Sequence, residues 1–300
     1  MKPDIWMDDA FVPWDKACIH PLCHSMQRGA TLFESIDCLE ASNEKPAIFR
    51  LPKHIERFQD SASIIGMKLP YSSEELICAI TATVARSGLK ECTIRPLAFY
   101  ADPVFDIFPN KSRVSVVIGL HEKKPLPESI KVSFSRLRKI ENTSMPVKAK
   151  VSGNYIAAMI AKSEAVHAGF DEIVMLDGDG FVTEGSTSNI FIVENGRIHT
   201  SPGDRILQGI TRNTIMSLTD RLGIPLSETF YPPERLKQAD EVFISSSGLG
   251  VMPVIQVDNA TIGDGFPGPT TKRLRSFLHD IVTGRVPEFS GWLTYIDQRR

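Results

Sequence analysis

Residues 145–159 read MPVKAKVSGNYIAAM, and this stretch decides the fold. Lys150 stands directly before a Ser-Gly-Asn-Tyr run, and a helix is expected from about 152 to 168. A strand over 130–135 leads towards the lysine. Downstream, FVTEGSTSNIF at 181–191 places Glu184 between a strand and a turn of small residues. LQGITR at 207–212 then opens a helix, and FISSSGLG at 243–250 follows a strand. A lysine, a carboxylate and two small-residue loops therefore recur in a fixed order through the second half of the chain.

Working outward, Ile5–Val12 (IWMDDAFV) reads as a hairpin around Asp-Asp, and 31–39 and 47–50 read as strands. Residues 52–66 form a helix with Ile55, Phe58, Ala62 and Ile65 on one face and Pro52 in its first turn. A second helix covers 72–88, with Ser73 as its cap and acidic residues in its first turn. Strands follow at 92–100 and 112–120. The stretch HEKKPLPES at 121–129 is polar, holds two prolines and lacks periodicity, which marks a linker. Beyond it come strands near 172–177, 181–183, 188–194 and 197–200, with Glu194-Asn195-Gly196 as a hairpin turn. A helix over 210–222, a strand over 241–245 and a last helix over 270–283 complete the pattern. The expected architecture is α+β with mixed sheets in two domains: 1–121, a linker at 122–130, and 131–300.

Composition sets the outer limits. The 300 residues are 42% hydrophobic and 23% charged with a formal net charge of -2, ordinary for a globular chain handling small molecules. No basic stripe suggests nucleic acid, and no apolar run approaches the roughly 20 residues of a membrane helix. The opening MKPDIWMDDAF is acidic and has no apolar core, so no secretory leader is expected and the cytoplasm is the expected compartment. Five cysteines without a CxxC spacing argue against a disulfide framework. Cys18, Cys23, His20 and His24 lie close in sequence but do not make a complete ligand set, and no metal is expected.

Taken together, the ordered motifs resemble the fold-type IV pyridoxal-5′-phosphate enzymes, and among these the branched-chain amino acid aminotransferases most. The resemblance runs from HSMQRGATLFESI at 24–36 to GPTTKRLRSFL at 268–278 and GWL at 291–293. It implies an active site between the domains. It also implies that Lys150 carries pyridoxal 5′-phosphate as a Schiff base and afterwards serves as general base, burial and positive neighbours favouring its neutral form. Lys148 is the competing lysine, but the family lysine directly precedes an X-X-Gly-Asn-Tyr pattern. Glu184 matches the carboxylate that pairs with the pyridine nitrogen, and Tyr155 the tyrosine that hydrogen-bonds the cofactor's phenolic oxygen. Arg57, in KHIERFQDSA, matches the phosphate arginine. The Ile210 and Thr211 amides at a helix N-terminus and the Ser247 hydroxyl complete the implied phosphate cup.

The substrate side departs from that family. Arg95 in TIRPLAF and Phe33 match substrate-side residues, and the Gly248 and Leu249 amides stand where a carboxylate can be received. Arg28, however, stands in place of a tyrosine, Thr93 in place of another, and Ser35 in place of a glycine. The linker also lacks the aromatics that close the family's apolar pocket. A more polar pocket is expected, with Arg28 as a ligand of the substrate carboxylate. The implied activity is a ping-pong transfer from an amino acid, a branched-chain L-amino acid first, to a 2-keto acid such as 2-oxoglutarate. D-amino-acid transamination and an aminodeoxychorismate-type lyase are the alternatives. The family implies a homodimer or higher oligomer, in which the segment around 20–35 serves the neighbouring site.

Overall fold

A computed structural model describes residues 2–297. Packing divides the chain into two compact units, one made of Met1–Lys124, Ala149–Gly153 and Asp280–Arg300, the other of Pro125–Lys148 and Asn154–His279. The first break falls inside the expected linker. Two segments are grouped differently from the expected 131–300 domain, however, and backbone pairing explains both. Val151 bridges Leu32, the Ser152 amide donates to Thr31 O at 2.8 Å, and the C-terminal strand Leu293–Tyr295 pairs with residues 47–49. The lysine segment and the last strand therefore belong to the first unit.

The first unit is built on an eight-stranded sheet. Its strands are β1 (Ile5–Met7), β2 (Ala10–Val12), β3 (Leu32–Phe33), β4 (Ile36–Glu40), β5 (Pro46–Phe49), β6 (Cys92–Tyr100) and β7 (Val114–Glu122), plus the C-terminal strand. Every pairing within it is antiparallel. The expected hairpin closes through Asp8 and Asp9, both at positive φ (46° and 68°), the conformation a two-residue turn between twisted strands requires. Short helix α1 (His24–Arg28) precedes β3, and helices α2 (Leu51–Ile64) and α3 (Ser73–Ser87) cover the core. Ile55, Phe58 and Ala62 of α2 and Leu76, Ile80 and Val84 of α3 pack there against Leu32, Ile36, Ile94 and Ile118 of the sheet. The α3 cap is Ser72 rather than Ser73. Glu75 lies three residues after Ser72, so the two close a reciprocal capping box that Ser73 could not form. The C-terminal GWL motif finds its purpose here: Trp292 lies 3.4 Å beneath the Arg50 guanidinium, and its carbonyl accepts the Arg50 amide at 2.7 Å.

The second unit carries the mixed sheet. Its strands are β8 (Ile130–Phe134), β9 (Glu172–Val174), β10 (Asn189–Glu194), β11 (Arg197–Thr200), β12 (Leu226–Glu228), β13 (Glu241–Ser246), β14 (Gly250–Val257) and β15 (Ala260–Thr261). The β8–β9, β8–β14 and β11–β12 pairs are parallel and the rest antiparallel. Its helices are α4 (Ile156–His167), α5 (Ile210–Leu222), α6 (Pro233–Lys237) and α7 (Pro269–Val282), and a 3-10 turn over Ser152–Tyr155 leads into α4. The expected helix at 152–168 thus begins as a tighter turn. The α7 N-terminus is capped from outside: buried Glu241 accepts the Thr270 and Thr271 amides at 2.9 and 2.7 Å. Gly268 is required there, since a Cβ would lie 2.2 Å from the Glu241 side chain. Among the described residues no helix is long and apolar enough to cross a membrane, and no group of three acidic, His or Cys side chains could hold a metal ion.

Candidate active site

In the first unit the sequence-selected residues gather around Phe33 at the end of β3. The Lys150 Nζ lies 4.7 Å from its ring centroid and the Arg95 Cζ lies 5.4 Å from it. Strand register explains the company. Phe33 opposes Leu97, two residues from Arg95 on β6, so both side chains leave the same face of the sheet. Lys150 is 8% exposed, and its segment is fastened on both sides. Its own amide donates to the Ser61 Oγ at 3.0 Å and its carbonyl accepts the Phe33 amide at 3.2 Å. Ser61 in turn donates to the Arg57 carbonyl at 2.8 Å, so one α2 hydroxyl joins the lysine segment to the helix that carries Arg57.

Arg57 is held by a partner that sequence reasoning left unassigned. Its Nε and Nη2 donate to the two oxygens of Glu34 at 2.7 and 2.8 Å, a fork on a carboxylate. His54, one turn earlier on α2, donates from Nδ1 to the same carboxylate at 2.8 Å, and the Ser35 amide adds a fourth contact at 3.2 Å. Glu34 is fully buried. Burial by itself would push its carboxyl upward, but the charge of Arg57, with His54 and the hydrogen bonds, prevails and holds it far below the usual carboxylate range. Burial pushes His54 the other way, below its ordinary value; Glu34 opposes this, while the charges of Arg57 and Lys150 reinforce it. A neutral His54 that donates Nδ1–H fits this direction. The signal was present in the sequence: Phe33 and Glu34 are neighbours in a stretch expected as a strand, where side chains alternate between faces, and a core carboxylate needs basic partners such as positions 54 and 57.

Arg28 stands apart. It is exposed at the end of α1 and donates to the Phe105 carbonyl at 2.9 Å. Thr93, His121 and Asp37 form one row across β6, β7 and β4. Asp37 pairs with Lys123 at 2.7 Å, and burial pushes its carboxyl upward against that pairing.

In the second unit Glu184 is the centre. Its Oε1 lies 2.6 Å from the Lys139 ammonium, and its Oε2 accepts Asn189 Nδ2 at 3.3 Å and the Leu207 amide at 3.2 Å. Neither Lys139 nor Asn189 was singled out from the sequence, although Asn189 lies within the quoted motif. Asn189 links the carboxylate to the start of α5. It also donates to Leu207 O at 2.9 Å, and its Oδ1 lies where a Cβ on Gly209 would come within 2.2 Å. Gly209 caps α5 without a side-chain hydrogen bond, and Ile210 and Thr211 are the first two helical residues. Tyr155 is half-buried at the N-cap of α4. Ser247, Gly248 and Leu249 form the turn from β13 to β14, where the Leu249 amide already donates to Ser246 O at 3.2 Å and Oγ at 3.3 Å. Receiving a carboxylate at Leu249 would displace those bonds.

Comparison with known proteins covers both units. The family model described as amino-transferase class IV matches residues 31–257. A branched-chain-amino-acid aminotransferase of Pseudomonas aeruginosa is 35% identical over 298 residues, covering 97% of each chain. The T.th. branched-chain amino acid aminotransferase with pyridoxamine 5′-phosphate superposes with a TM-score of 0.96 at 37% identity, covering 99% of each chain. The same T.th. protein complexed with N-(5′-phosphopyridoxyl)-L-glutamate gives 0.95 at 38%, again over 99% of each.

Proposed function

The chain belongs to the class IV aminotransferases, and from that premise we propose how its residues divide the work. It is a pyridoxal-5′-phosphate-dependent aminotransferase of α+β, fold-type IV architecture. The residues present suit that cofactor. They include a buried lysine, a buried carboxylate and a helix start left without a side-chain cap. These answer an aldehyde, a ring nitrogen and a phosphate in turn. The observation that carries the reading is the acceptor count at Glu184. A carboxylate has about four acceptor positions. Among the described residues Glu184 accepts two hydrogen bonds, both on Oε2, while Oε1 meets the Lys139 ammonium in an ion pair at 2.6 Å and keeps acceptor capacity for a further donor.

When bound, the cofactor supplies the electron sink that lets a substrate Cα–H bond be broken. We assign Lys150 as its covalent anchor and as the base whose Nζ moves the proton from the substrate Cα. Glu184 accepts the N–H of the ring, and Tyr155 donates to its phenolic oxygen. Arg57, aimed by Glu34, binds the phosphate together with the Ile210 and Thr211 amides and Ser247. Phe33 lies beneath the substrate, Arg95 and Arg28 attract its carboxylate, and the Gly248 and Leu249 amides offer a second place for one.

The donor we propose is a branched-chain L-amino acid and the acceptor a 2-keto acid such as 2-oxoglutarate. The name of the Pseudomonas relative and the glutamate adduct bound by the T.th. enzyme support this pair. The family resemblance supports a homodimer in which Arg28 serves the neighbouring site. Five free cysteines suit a reducing compartment such as the cytoplasm. The test is a half-reaction. Each of a panel of L- and D-amino acids is added to the cofactor-loaded protein without a keto acid, and the cofactor's absorption is followed. Leucine, isoleucine or valine should convert the spectrum and release the matching keto acid. Conversion only by D-amino acids would overturn the donor assignment. Pyruvate release from aminodeoxychorismate with an unconverted spectrum would overturn transamination itself.

A further inference from the structure

Lys139 is a buried cation that the assigned chemistry does not use. Its side chain is 12% exposed and that of Glu184 is 8% exposed, with 2.6 Å between Nζ and Oε1. Three residues earlier, Arg136 makes an ion pair with Glu164 on the surface, its side chain 80% exposed. Lys139 is thus the one of the two whose charge is taken out of water, a costly placement unless its partner repays it. The other donors to Glu184, the Asn189 amide and the Leu207 N–H, are neutral and sit on Oε2. On Oε1 the ammonium is the sole partner among the described residues.

We propose that Lys139 is a positioning residue that fixes the proton on the cofactor's ring nitrogen by holding Glu184 as the anion. This rests on the assignment of Glu184 to that nitrogen. The physical argument is one of distance. Coulomb attraction falls with separation, so an ammonium 2.6 Å from Oε1 acts more strongly on that carboxylate than on a group beyond it. A single proton shared between the carboxylate and a ring nitrogen is therefore displaced towards the nitrogen. Without Lys139, Glu184 is a buried carboxylate with neutral donors alone, and no cation offsets the burial of its charge. No bond is made or broken in this role; a shared proton changes its seat.

The experiment loads wild-type protein, Lys139→Met, Lys139→Arg and Glu184→Gln with pyridoxal 5′-phosphate labelled with 15N in the ring, and records the 15N resonance. Apoprotein melting is followed in parallel. In Lys139→Met the resonance should move towards that of neutral pyridine, kcat should fall about tenfold, and KM should change little. Lys139→Arg should restore both resonance and rate, because charge rather than shape is required. If Lys139→Met accumulates poorly, Lys139→Gln keeps a donor, removes the charge and should give the same displacement. A resonance at the wild-type position in the charge-less variants, with only the apoprotein Tm lowered, overturns the proposal and leaves a structural ion pair. The underlying assignment fails separately: it is lost if Glu184→Gln leaves the resonance and the cofactor affinity unchanged.

Discussion

Glu34 and Glu184 are both buried carboxylates facing a cation, one in each unit, yet they are satisfied to different degrees. Glu34 receives four hydrogen bonds, one on Oε1 and three on Oε2, from Arg57 twice, His54 and Ser35, as many in total as a carboxylate ordinarily accepts. Glu184 accepts two, both on Oε2, with an ion pair to Lys139 on Oε1, and is slightly exposed. The first is a closed clamp whose product is the direction of an arginine. The second keeps a vacancy, and a buried vacancy on a charged group is where a ligand's donor is worth most. Two similar residues thus differ in how fully their partners satisfy them.

Replacing Glu34 with Gln tests the closed half and should have the largest effect on stability. It leaves Arg57 and His54 without their shared anion, a loss of about 3–5 kcal/mol in urea unfolding of the apoprotein. Glu184→Gln should cost clearly less stability but more cofactor affinity; equal losses would erase the distinction. The closed clamp also has a pH signature. A carboxyl lowered on folding stabilises in full above its unfolded value near 4.5 and loses that contribution as pH falls through the lowered one. His54, also lowered, disfavours the folded state once pH falls below about 6.5, where only the unfolded chain binds the proton. Acid therefore weakens the wild type through both groups. His54→Gln should remove the part of the stability loss that begins near 6.5, read from unfolding free energy against pH.

Gly209→Ala probes the connection between the open half and the helix start. The new Cβ would meet Asn189 Oδ1 at 2.2 Å and push away the amide that holds Glu184. A stability loss of about 1–3 kcal/mol is expected, together with weaker cofactor binding in a titration of the apoprotein. Unchanged affinity would separate Asn189 from the site. The smallest effect lies outside both clusters. Arg28→Ala removes an exposed side chain whose contact is a carbonyl, so stability should hold while KM for donor and keto acid rises about tenfold. An unmoved KM would take Arg28 out of the substrate site.

Much of the fold was legible because each signal was local. The Asp-Asp hairpin, the amphipathic helices at 51–64 and 210–222 and the Asn-Gly turn at 195–196 each follow from residues a few positions apart. The Lys150 segment did not follow, since its neighbours in space are Thr31, Leu32 and Ser61, far away in sequence. Strand β14 was missed for a related reason: Gly250 and Pro253 weaken a strand locally, yet pairing with β13 and β8 carries the strand through both. At the site, motif order singled out Lys150 and Glu184 as candidates, whereas Lys139, His54 and Ser61 are ordinary side chains until burial selects them.

The sequence by itself determined the candidates for the chemistry: a lysine shortly before Ser-Gly-Asn-Tyr, a glutamate before a small-residue turn, and a glycine opening a helix are covalent and local facts. The tertiary structure decided the environment of that chemistry. It chose which basic residue is buried beside Glu184, which donors fill Glu34, and which unit holds the lysine segment. The physical reason is that exposure and partner count are properties of packing, set by residues distant along the chain, and electrostatics follows packing.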